Sequence, residues 1–171
     1  MKALLDVDGV VADFSSSILQ AVGSKLSPQD HQQWDVMEFL TPDEKSRARE
    51  ALSDIDFWLN LPLKDMAKQG VEKLRDLGFQ IVWVTSPWTS CLGWDTARRS
   101  WLSRNFGDDP VVITADKEHV DGDVFIDDKV ENVEKWSRAH PDKRAFLFDA
   151  PYNRDSDLPR VSWDTILAHL L

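Results

Sequence analysis

The sequence predicts an α/β protein with a Rossmann-like parallel sheet that carries helices on both faces. Three observations predict this fold class. Short apolar runs typical of strands alternate with longer stretches of helical pattern, which favours a covered parallel sheet. Three of the apolar runs end abruptly in acids or hydroxyls, as strands do at a ligand-binding edge. One long stretch near the N-terminus, residues 16–61, is helical in pattern and holds no convincing strand.

The predicted strands and helices follow one another along the chain. The strand-like runs are residues 3–7, 79–84, 111–113, 123–126 and 145–148. The helical patterns between and after them cover residues 70–77, 94–106, 131–139 and 163–170. Gly78 stands directly after the first of these helices, at the position where glycine commonly ends a helix.

The stretch 16–61 is predicted to be a small helical cap inserted after the first strand. Within it, Thr41-Pro42-Asp43-Glu44 is a capping box with proline at the first helical position, so we expect a helix from there to about Ser53. Residues 1–15 and 62–171 then form the core domain. An insertion at this point would lie above the end of the first strand.

Length and charge restrict the partners that the protein can have. The chain has 171 residues, enough for one domain with a real core. Its formal net charge of −10 predicts no nucleic acid polymer and no anionic membrane as a partner, but permits a small anionic substrate in a locally positive pocket. The single cysteine, Cys91, excludes an internal disulfide. Asp6 and Asp8 interrupt the first apolar stretch too early for a signal peptide, so we expect a cytoplasmic protein.

The polar residues at the strand ends predict a metal site. If the three strands are parallel neighbours, their carboxyl ends meet at one edge and bring together Asp6, Asp8, Thr85, Ser86, Asp127 and Asp128. Two carboxylates about 4 Å apart repel by roughly 4 kcal/mol at an effective dielectric near 20. A divalent cation removes that repulsion, and oxygen ligands without histidine suit Mg²⁺. Lys117 adds one positive charge from the loop before the third of these strands.

Each of these segments has a simpler interpretation when taken alone. Asp-x-Asp-Gly is often only a turn in which Gly9 supplies a positive φ, and Lys117 alone reads as a surface lysine. A calcium loop is disfavoured because Ser17, not glutamate, stands at the twelfth position from Asp6. The four segments together, in this order and at strand ends, favour a functional site.

The same four segments resemble the four motifs of the haloacid dehalogenase (HAD) superfamily of phosphotransferases. The resemblance is closer to one branch, the 5′(3′)-deoxyribonucleotidases. The segments that carry it are Asp6-Val7-Asp8-Gly9-Val10-Val11-Ala12-Asp13-Phe14, Thr85-Ser86-Pro87, Asp116-Lys117, Phe125-Ile126-Asp127-Asp128-Lys129 and the C-terminal Ser162-Trp163. The branch carries a lysine shortly after its second motif, and Thr89 stands there in this sequence.

The resemblance implies a role for each matching residue. Asp6 would be the nucleophile that forms an aspartyl-phosphate, and Asp8 the general acid and base. Mg²⁺ would lie between the Asp6 carboxylate, the main-chain carbonyl of Asp8 and the Asp127-Asp128 pair, with Asp128 as the direct ligand and Asp127 acting through water. The phosphoryl oxygens would be held by Thr85, Ser86 and Lys117, and the nucleobase would stack against Phe14.

The implied activity is a Mg²⁺-dependent phosphomonoesterase whose partner is a small nucleoside monophosphate. It would remove the 5′-phosphate of deoxyribonucleoside monophosphates. Two alternatives stay open at this point: a phosphatase of the same superfamily that acts on another small metabolite such as a sugar phosphate, and a non-catalytic nucleotide-binding protein on the same scaffold. The sequence does not decide between a monomer and a homodimer.

Overall fold

Six parallel strands form the sheet at the centre of the protein. The computed structural model describes residues 1–30 and 33–170. Within them the strands are β1 (Lys2–Leu5), β2 (Gln80–Thr85), β3 (Val111–Ile113), β4 (Val124–Asp127), β5 (Arg144–Phe148) and β6 (Arg160–Val161). Their order across the sheet is β3-β2-β1-β4-β5-β6, and every neighbouring pair is parallel. β1 therefore lies between β2 and β4, with Leu5 opposite both Trp83 and Ile126.

Both faces of the sheet are buried, and this explains why the central strands are nearly continuous apolar runs. Because successive side chains of a strand point to opposite faces, Leu5 packs in one apolar cluster and its neighbour Leu4 in the other. Val133 and Trp136 of the helix after β4 complete the cluster around Leu4.

The described residues form seven α-helices. They are α1 (Phe14–Ala21), α2 (Pro42–Ser53), α3 (Ile55–Leu59), α4 (Ala67–Asp76), α5 (Trp94–Phe106), α6 (Val130–Ala139) and α7 (Ile166–Leu170). Single 3₁₀ turns occur at Pro28–Asp30, Val36–Phe39, Lys117–His119 and Pro151–Asn153. Among the described residues, none of the helices is long and apolar enough to cross a bilayer.

The predicted fold class is confirmed, with differences at the ends of elements. All five predicted strands are present, and a sixth, Arg160–Val161, is too short for the sequence to show an alternating pattern. The capping box at Thr41 is formed in full, with reciprocal hydrogen bonds between Thr41 and Glu44, and its helix ends at Ser53 as predicted. The last helix begins at Ile166, three residues later than the predicted start at Trp163, because the N–H of Thr165 also bonds to the carbonyl of Ser162 and residues 163–165 form a turn.

Between β1 and β2 the described residues form helices α1 to α4 and two 3₁₀ turns joined by loops, and they carry no β-strand. Helices α1 to α3 pack on one another, and Ile18, Leu52 and Trp58 are buried within them. Side chains of this segment reach the same cavity as the carboxyl end of β1. The division into a core and a cap at residues 16 and 61 stays a prediction.

Candidate active site

The turn after β1 is built to place Asp6 at the carboxyl edge of the sheet. The strand ends at Leu5, and the N–H of Asp6 still donates to the carbonyl of Ile126 in β4 at 2.9 Å. The chain then turns sharply, because the N–H groups of Val11 and Ala12 both donate to the carbonyl of Val7 at 2.9 Å. Asp6 and Asp8 thus lie just beyond the end of β1, and both line the cavity described below.

Gly9 is required at this turn for two reasons. Its φ of +79° lies in the left-handed region that favours glycine. A Cβ atom at this position would lie 1.9 Å from Oδ2 of Asp128 and 2.8 Å from the hydroxyl of Tyr152. The missing side chain therefore allows the turn to approach Asp128 closely.

Three buried carboxylates converge at this edge. Asp6, Asp127 and Asp128 each offer an oxygen, and these oxygens all lie within 4.8 Å of one another. Nζ of Lys117 lies 2.8 Å from Oδ1 of Asp6 and 2.7 Å from Oδ2 of Asp127. Lys117 is only 2% exposed, so its interpretation as a surface lysine is wrong and its predicted place in the site is supported.

Neighbouring groups hold Asp127 and Asp128 in place. Asp127 accepts hydrogen bonds from the N–H of Lys129 at 2.8 Å and from Nδ2 of Asn132 at 3.0 Å. The hydroxyl of Tyr152 donates to the Asp128 carboxylate. Nδ2 of Asn153 donates to the main-chain carbonyl of Asp128 at 2.8 Å. Both carboxylates are therefore fixed in orientation before any ligand arrives.

The cluster has more carboxylates than cations, and the pKa values of its members reflect this imbalance. Burial raises the pKa of Asp6 well above its ordinary value; Lys117 lowers it, and the charges of Asp127 and Asp128 raise it further. Burial, followed by the charge of Asp127, raises the pKa of Asp128 to about 7. For Lys117, burial opposes the charged form, but the carboxylates of Asp127 and Asp6 outweigh burial and raise its pKa. One ammonium group faces three carboxylates, so the site favours a further cation.

The ligand atoms of the cluster fit a hard divalent cation. All three carboxylates supply oxygen, and neither a histidine nor a cysteine belongs to the cluster among the described residues. Such a set suits Mg²⁺ better than Zn²⁺. The Asp8 carboxylate is not part of this group, so any contribution of Asp8 to a metal has to come from its main-chain carbonyl.

A cavity of about 450 Å³ opens over the cluster. Polar and charged residues line one part of it, which we call the polar end, and aromatic rings that contact one another line another part, which we call the aromatic end. The polar end includes Asp6, Asp8, Ser86, Lys117, Lys129 and Asp128, and the aromatic end includes Phe14, Trp58, Trp88 and Trp94. Trp34 lies with the polar end, because its ring centroid is 4.0 Å from Nζ of Lys129. Of the two predicted hydroxyl residues, Ser86 lines the cavity, whereas Thr85 is buried at the end of β2 beside it and does not.

The aromatic end is held together by ring contacts. Phe14 stacks on Trp58 with ring centroids 5.8 Å apart and planes 23° apart. Trp58 also contacts Trp88 at 5.5 Å, and the indole N–H groups of both donate to the carbonyl of Leu52 at 3.0 Å. Phe14 is therefore in the predicted pocket, and Trp58, although buried, forms part of the pocket wall.

Asp8 contacts a residue that reasoning from the sequence missed. Nη2 of Arg98 lies 2.6 Å from Oδ2 of Asp8, and the side chain of Arg98 is 0% exposed. A signal for this residue was present in the sequence. Arg98 falls within the helical stripe of buried positions Trp94, Ala97, Trp101 and Leu102, where a surface arginine would not be expected. Tyr152 and Asn132, also missed, carry no comparable pattern.

Comparison with known proteins agrees with the geometry. The family model described as "5′ nucleotidase, deoxy (Pyrimidine), cytosolic type C protein" matches residues 1–170. A Bordetella pertussis protein named "Putative 5′(3′)-deoxyribonucleotidase" is 30% identical over 173 residues, which cover 95% of this chain and 91% of that protein. The human "5′(3′)-deoxyribonucleotidase, cytosolic type" is 27% identical over 175 residues, with 93% of this chain and 85% of that protein covered.

A solved structure shares the fold. The HAD family hydrolase of Deinococcus radiodurans R1, determined with bound phosphate and sodium, superposes with a TM-score of 0.63 at 13% identity and covers 99% of this chain and 94% of its own. At that identity the likeness concerns the fold alone. Since the motifs, the sheet and the match over residues 1–170 agree, the chain belongs to the 5′ nucleotidase, deoxy (pyrimidine), cytosolic type C family, the deoxyribonucleotidase branch of the haloacid dehalogenase superfamily.

Proposed function

We propose that the protein is a Mg²⁺-dependent phosphomonoesterase that removes the 5′-phosphate of deoxyribonucleoside monophosphates through an aspartyl-phosphate on Asp6. The observation that carries this proposal is that one cavity is lined both by Asp6 and Lys117 and by the aromatic rings of Phe14 and Trp58. A nucleoside monophosphate matches both kinds of lining, because its sugar carries an anionic phosphate and an apolar, planar base.

The polar end supports nucleophilic catalysis by Asp6. One oxygen of the Asp6 carboxylate would form a bond to phosphorus while the bond from phosphorus to the ester oxygen breaks. Oδ1 of Asp6 accepts the N–H of Val7 at 2.7 Å and faces Lys117 at 2.8 Å, so its orientation is fixed. Lys117 and Ser86 would bind the phosphoryl oxygens.

The acid cluster supports a role for Mg²⁺. Asp6, Asp128 and the main-chain carbonyl of Asp8 would hold the ion, with Asp127 acting through water. When bound, Mg²⁺ would neutralise charge on the carboxylates and on the transferring phosphoryl group. The direct role of Asp128 and the indirect role of Asp127 are part of this proposal.

Asp8 would move the protons of both steps. In the first step it gives a proton to the departing ester oxygen. In the second step it takes a proton from the water that attacks phosphorus, while the bond to Asp6 breaks and the Asp6 carboxylate is restored. The side chain of Asp8 is 30% exposed and lines the cavity in which the phosphate ester would bind.

The aromatic end supports a preference for deoxyribose. An apolar wall beside C2′ tolerates hydrogen, whereas a 2′-hydroxyl held against it would lose a hydrogen bond to water at a cost of roughly 1–3 kcal/mol. Deoxyribonucleotides should therefore exceed ribonucleotides in kcat/KM by about ten- to a hundredfold.

A phosphate-release panel tests the proposed activity. It compares dUMP with UMP, dGMP with GMP, and both pairs with a hexose phosphate, each with Mg²⁺ and with excess EDTA. We expect dUMP and dGMP to be the best substrates, with Mg²⁺ required. Equal kcat/KM within each pair would remove the deoxyribose preference. A hexose phosphate that exceeds all four nucleotides would contradict the nucleotide assignment in favour of a sugar phosphate.

A further inference from the structure

We infer that Arg98 is a positioning residue that holds the Asp8 carboxylate in the orientation needed for proton transfer. The inference rests on the proposed function, since it assigns a purpose to the ion pair between Arg98 and Asp8. Asp8 belongs to the first motif, whereas Arg98 belongs to none of the four. Arg98 lies in the second turn of α5, ninety residues from Asp8 along the chain.

The contact joins a fully buried cation to an acidic side chain that is partly exposed. The side chain of Arg98 is 0% exposed, and that of Asp8 is 30% exposed. The hydrogen bond from Nη2 to Oδ2 is 2.6 Å long, in the range of charge-assisted bonds. The carboxylate is thus fixed from behind, while part of its side chain still faces the cavity.

Aromatic rings surround the guanidinium group. Its central carbon lies 5.3 Å from the ring centroid of Trp58, 5.4 Å from that of Trp94 and 6.0 Å from that of Trp101. These rings provide cation–π contacts and restrict the rotamers of Arg98. Trp58 belongs to the predicted cap, and Trp94 and Trp101 belong to α5. The cap therefore helps to hold Arg98, which in turn holds the carboxylate of Asp8.

This ion pair is poorly suited to a purely structural role. Nε and Nη1 of Arg98 and Oδ1 of Asp8 are buried and have no hydrogen-bond partner among the described residues. A buried ion pair with unsatisfied atoms is weak evidence for stabilisation, because desolvation of the charges offsets their attraction. Orientation of a reacting group is a role that such a pair fulfils well, since small displacements of that group reduce the rate strongly.

The inference predicts a specific kinetic pattern with p-nitrophenyl phosphate. p-Nitrophenolate departs without a proton, so formation of the phosphoenzyme from this substrate does not need Asp8. Hydrolysis of the phosphoenzyme still does, because Asp8 accepts the proton of the attacking water. A variant in which Asp8 is no longer held in place should therefore hydrolyse the phosphoenzyme more slowly but form it at the normal rate.

The experiment is stopped-flow release of p-nitrophenolate from the Mg²⁺-loaded protein. For Arg98→Met we expect a burst of about one equivalent per chain at a rate within threefold of the wild type, then a steady state slowed by about ten- to a hundredfold. Arg98→Lys, which keeps the charge but loses the planar fork, should show the same burst and a smaller loss. Arg98→Lys also tests the inference if the Arg98→Met protein does not fold. Arg99→Met removes an exposed arginine from the same helix and should match the wild type.

Two results would overturn the inference. One is a steady state unchanged in both Arg98 variants. The other is a burst slowed as much as the steady state, which would indicate general damage to the site. Failure of the proposed function looks different, because the wild type itself would then release p-nitrophenolate no faster than Asp6→Asn.

Discussion

Asp6 and Asp128 are buried carboxylates that bind protons more tightly in the folded protein than in the unfolded chain. Burial is the main reason that both pKa values are raised, and the charge of Asp127 adds to it. In the unfolded chain both groups have ordinary pKa values and are ionised near neutral pH. The folded protein without metal therefore holds protons that the unfolded chain has already lost.

This difference gives the metal-free protein a definite dependence on pH. Because the folded-state pKa of Asp128 is raised to about 7, the folded state binds more protons than the unfolded state below that value. The free energy of unfolding should fall by about 1 kcal/mol between pH 6 and pH 8 from this group, which lowers Tm by a few degrees. Thermal unfolding in EDTA at the two pH values measures the effect.

Asp128→Asn is the matched control for that measurement. The amide does not titrate, so the variant should lose less stability between pH 6 and pH 8 than the wild type. Saturating Mg²⁺ should reduce the loss in the wild type, since the ion favours the ionised carboxylates. An equal loss of stability in the variant and the wild type would show that Asp128 is not the responsible group.

At the level of single residues, the sequence predicts those site residues whose position follows from the local sequence pattern. Asp6, Asp127 and Lys117 stand at strand ends or adjoining loops, and they do meet at one edge. The partners of Asp8 and Asp128 depend on contacts across the fold. Nothing local to Asp8 selects Arg98 as its partner, and the separation in sequence is ninety residues.

Among the elements, packing of α4 against the turn before α7 fixes the position of the loop that follows β1. The indole N–H of Trp163 donates to the carbonyl of Val10 at 2.9 Å, within the turn that follows Asp8. The ring of Trp163 lies against Gly70 of α4, where a Cβ atom would be 2.1 Å from Cε3 of the ring. Gly70 is therefore glycine because of this contact and not because of its backbone conformation.

Gly70→Ala should destabilise the protein in spite of the higher helix propensity of alanine. Glycine to alanine inside a helix normally gains about 1 kcal/mol. The clash with Trp163 should cost about 1–3 kcal/mol beyond that gain. Urea denaturation gives the free energy of unfolding. Gln69→Ala, at the adjacent exposed position, should change it by no more than about 0.5 kcal/mol. A Gly70→Ala protein at least as stable as the wild type would contradict this packing.

A strand or helix could be predicted from the sequence when its apolar or capping pattern extends over several residues. Five strands and the capped helix α2 were predicted because a run of apolar residues and a capping box are local signals. β6 has two residues and pairs only with Leu147 and Phe148, so its existence depends on the edge of β5 and not on its own sequence. α4 begins three residues before its predicted start, and α7 begins three residues after its predicted start.

For the molecule as a whole, the strand order decides which motifs meet. β1 lies between β2 and β4, so residues from the first, second and fourth motifs reach one edge although they are far apart in sequence. The concentration of carboxylates there, in a chain with a formal net charge of −10, favours binding of a cation at this edge.

Metal removal should therefore abolish activity reversibly. We expect EDTA to stop phosphate release from dUMP, Mg²⁺ to restore it, and Zn²⁺ to restore it poorly because the cluster offers oxygen ligands. Mg²⁺ should also raise Tm by mass action, and Asp128→Asn should lose that rise. Full activity in excess EDTA would contradict a metal-dependent reaction.

Identification of the phosphorylated residue tests the central claim most directly. Asp8→Asn should still accept a phosphoryl group from p-nitrophenyl phosphate in the presence of Mg²⁺, but should hydrolyse the product slowly. The reaction is quenched in acid and the peptides are analysed by mass spectrometry. We predict one phosphoryl group per chain on Asp6, and none in the Asp6→Asn, Asp8→Asn double variant. Release of p-nitrophenolate with no phosphoryl group on Asp6, or with the group on another residue, would contradict the account.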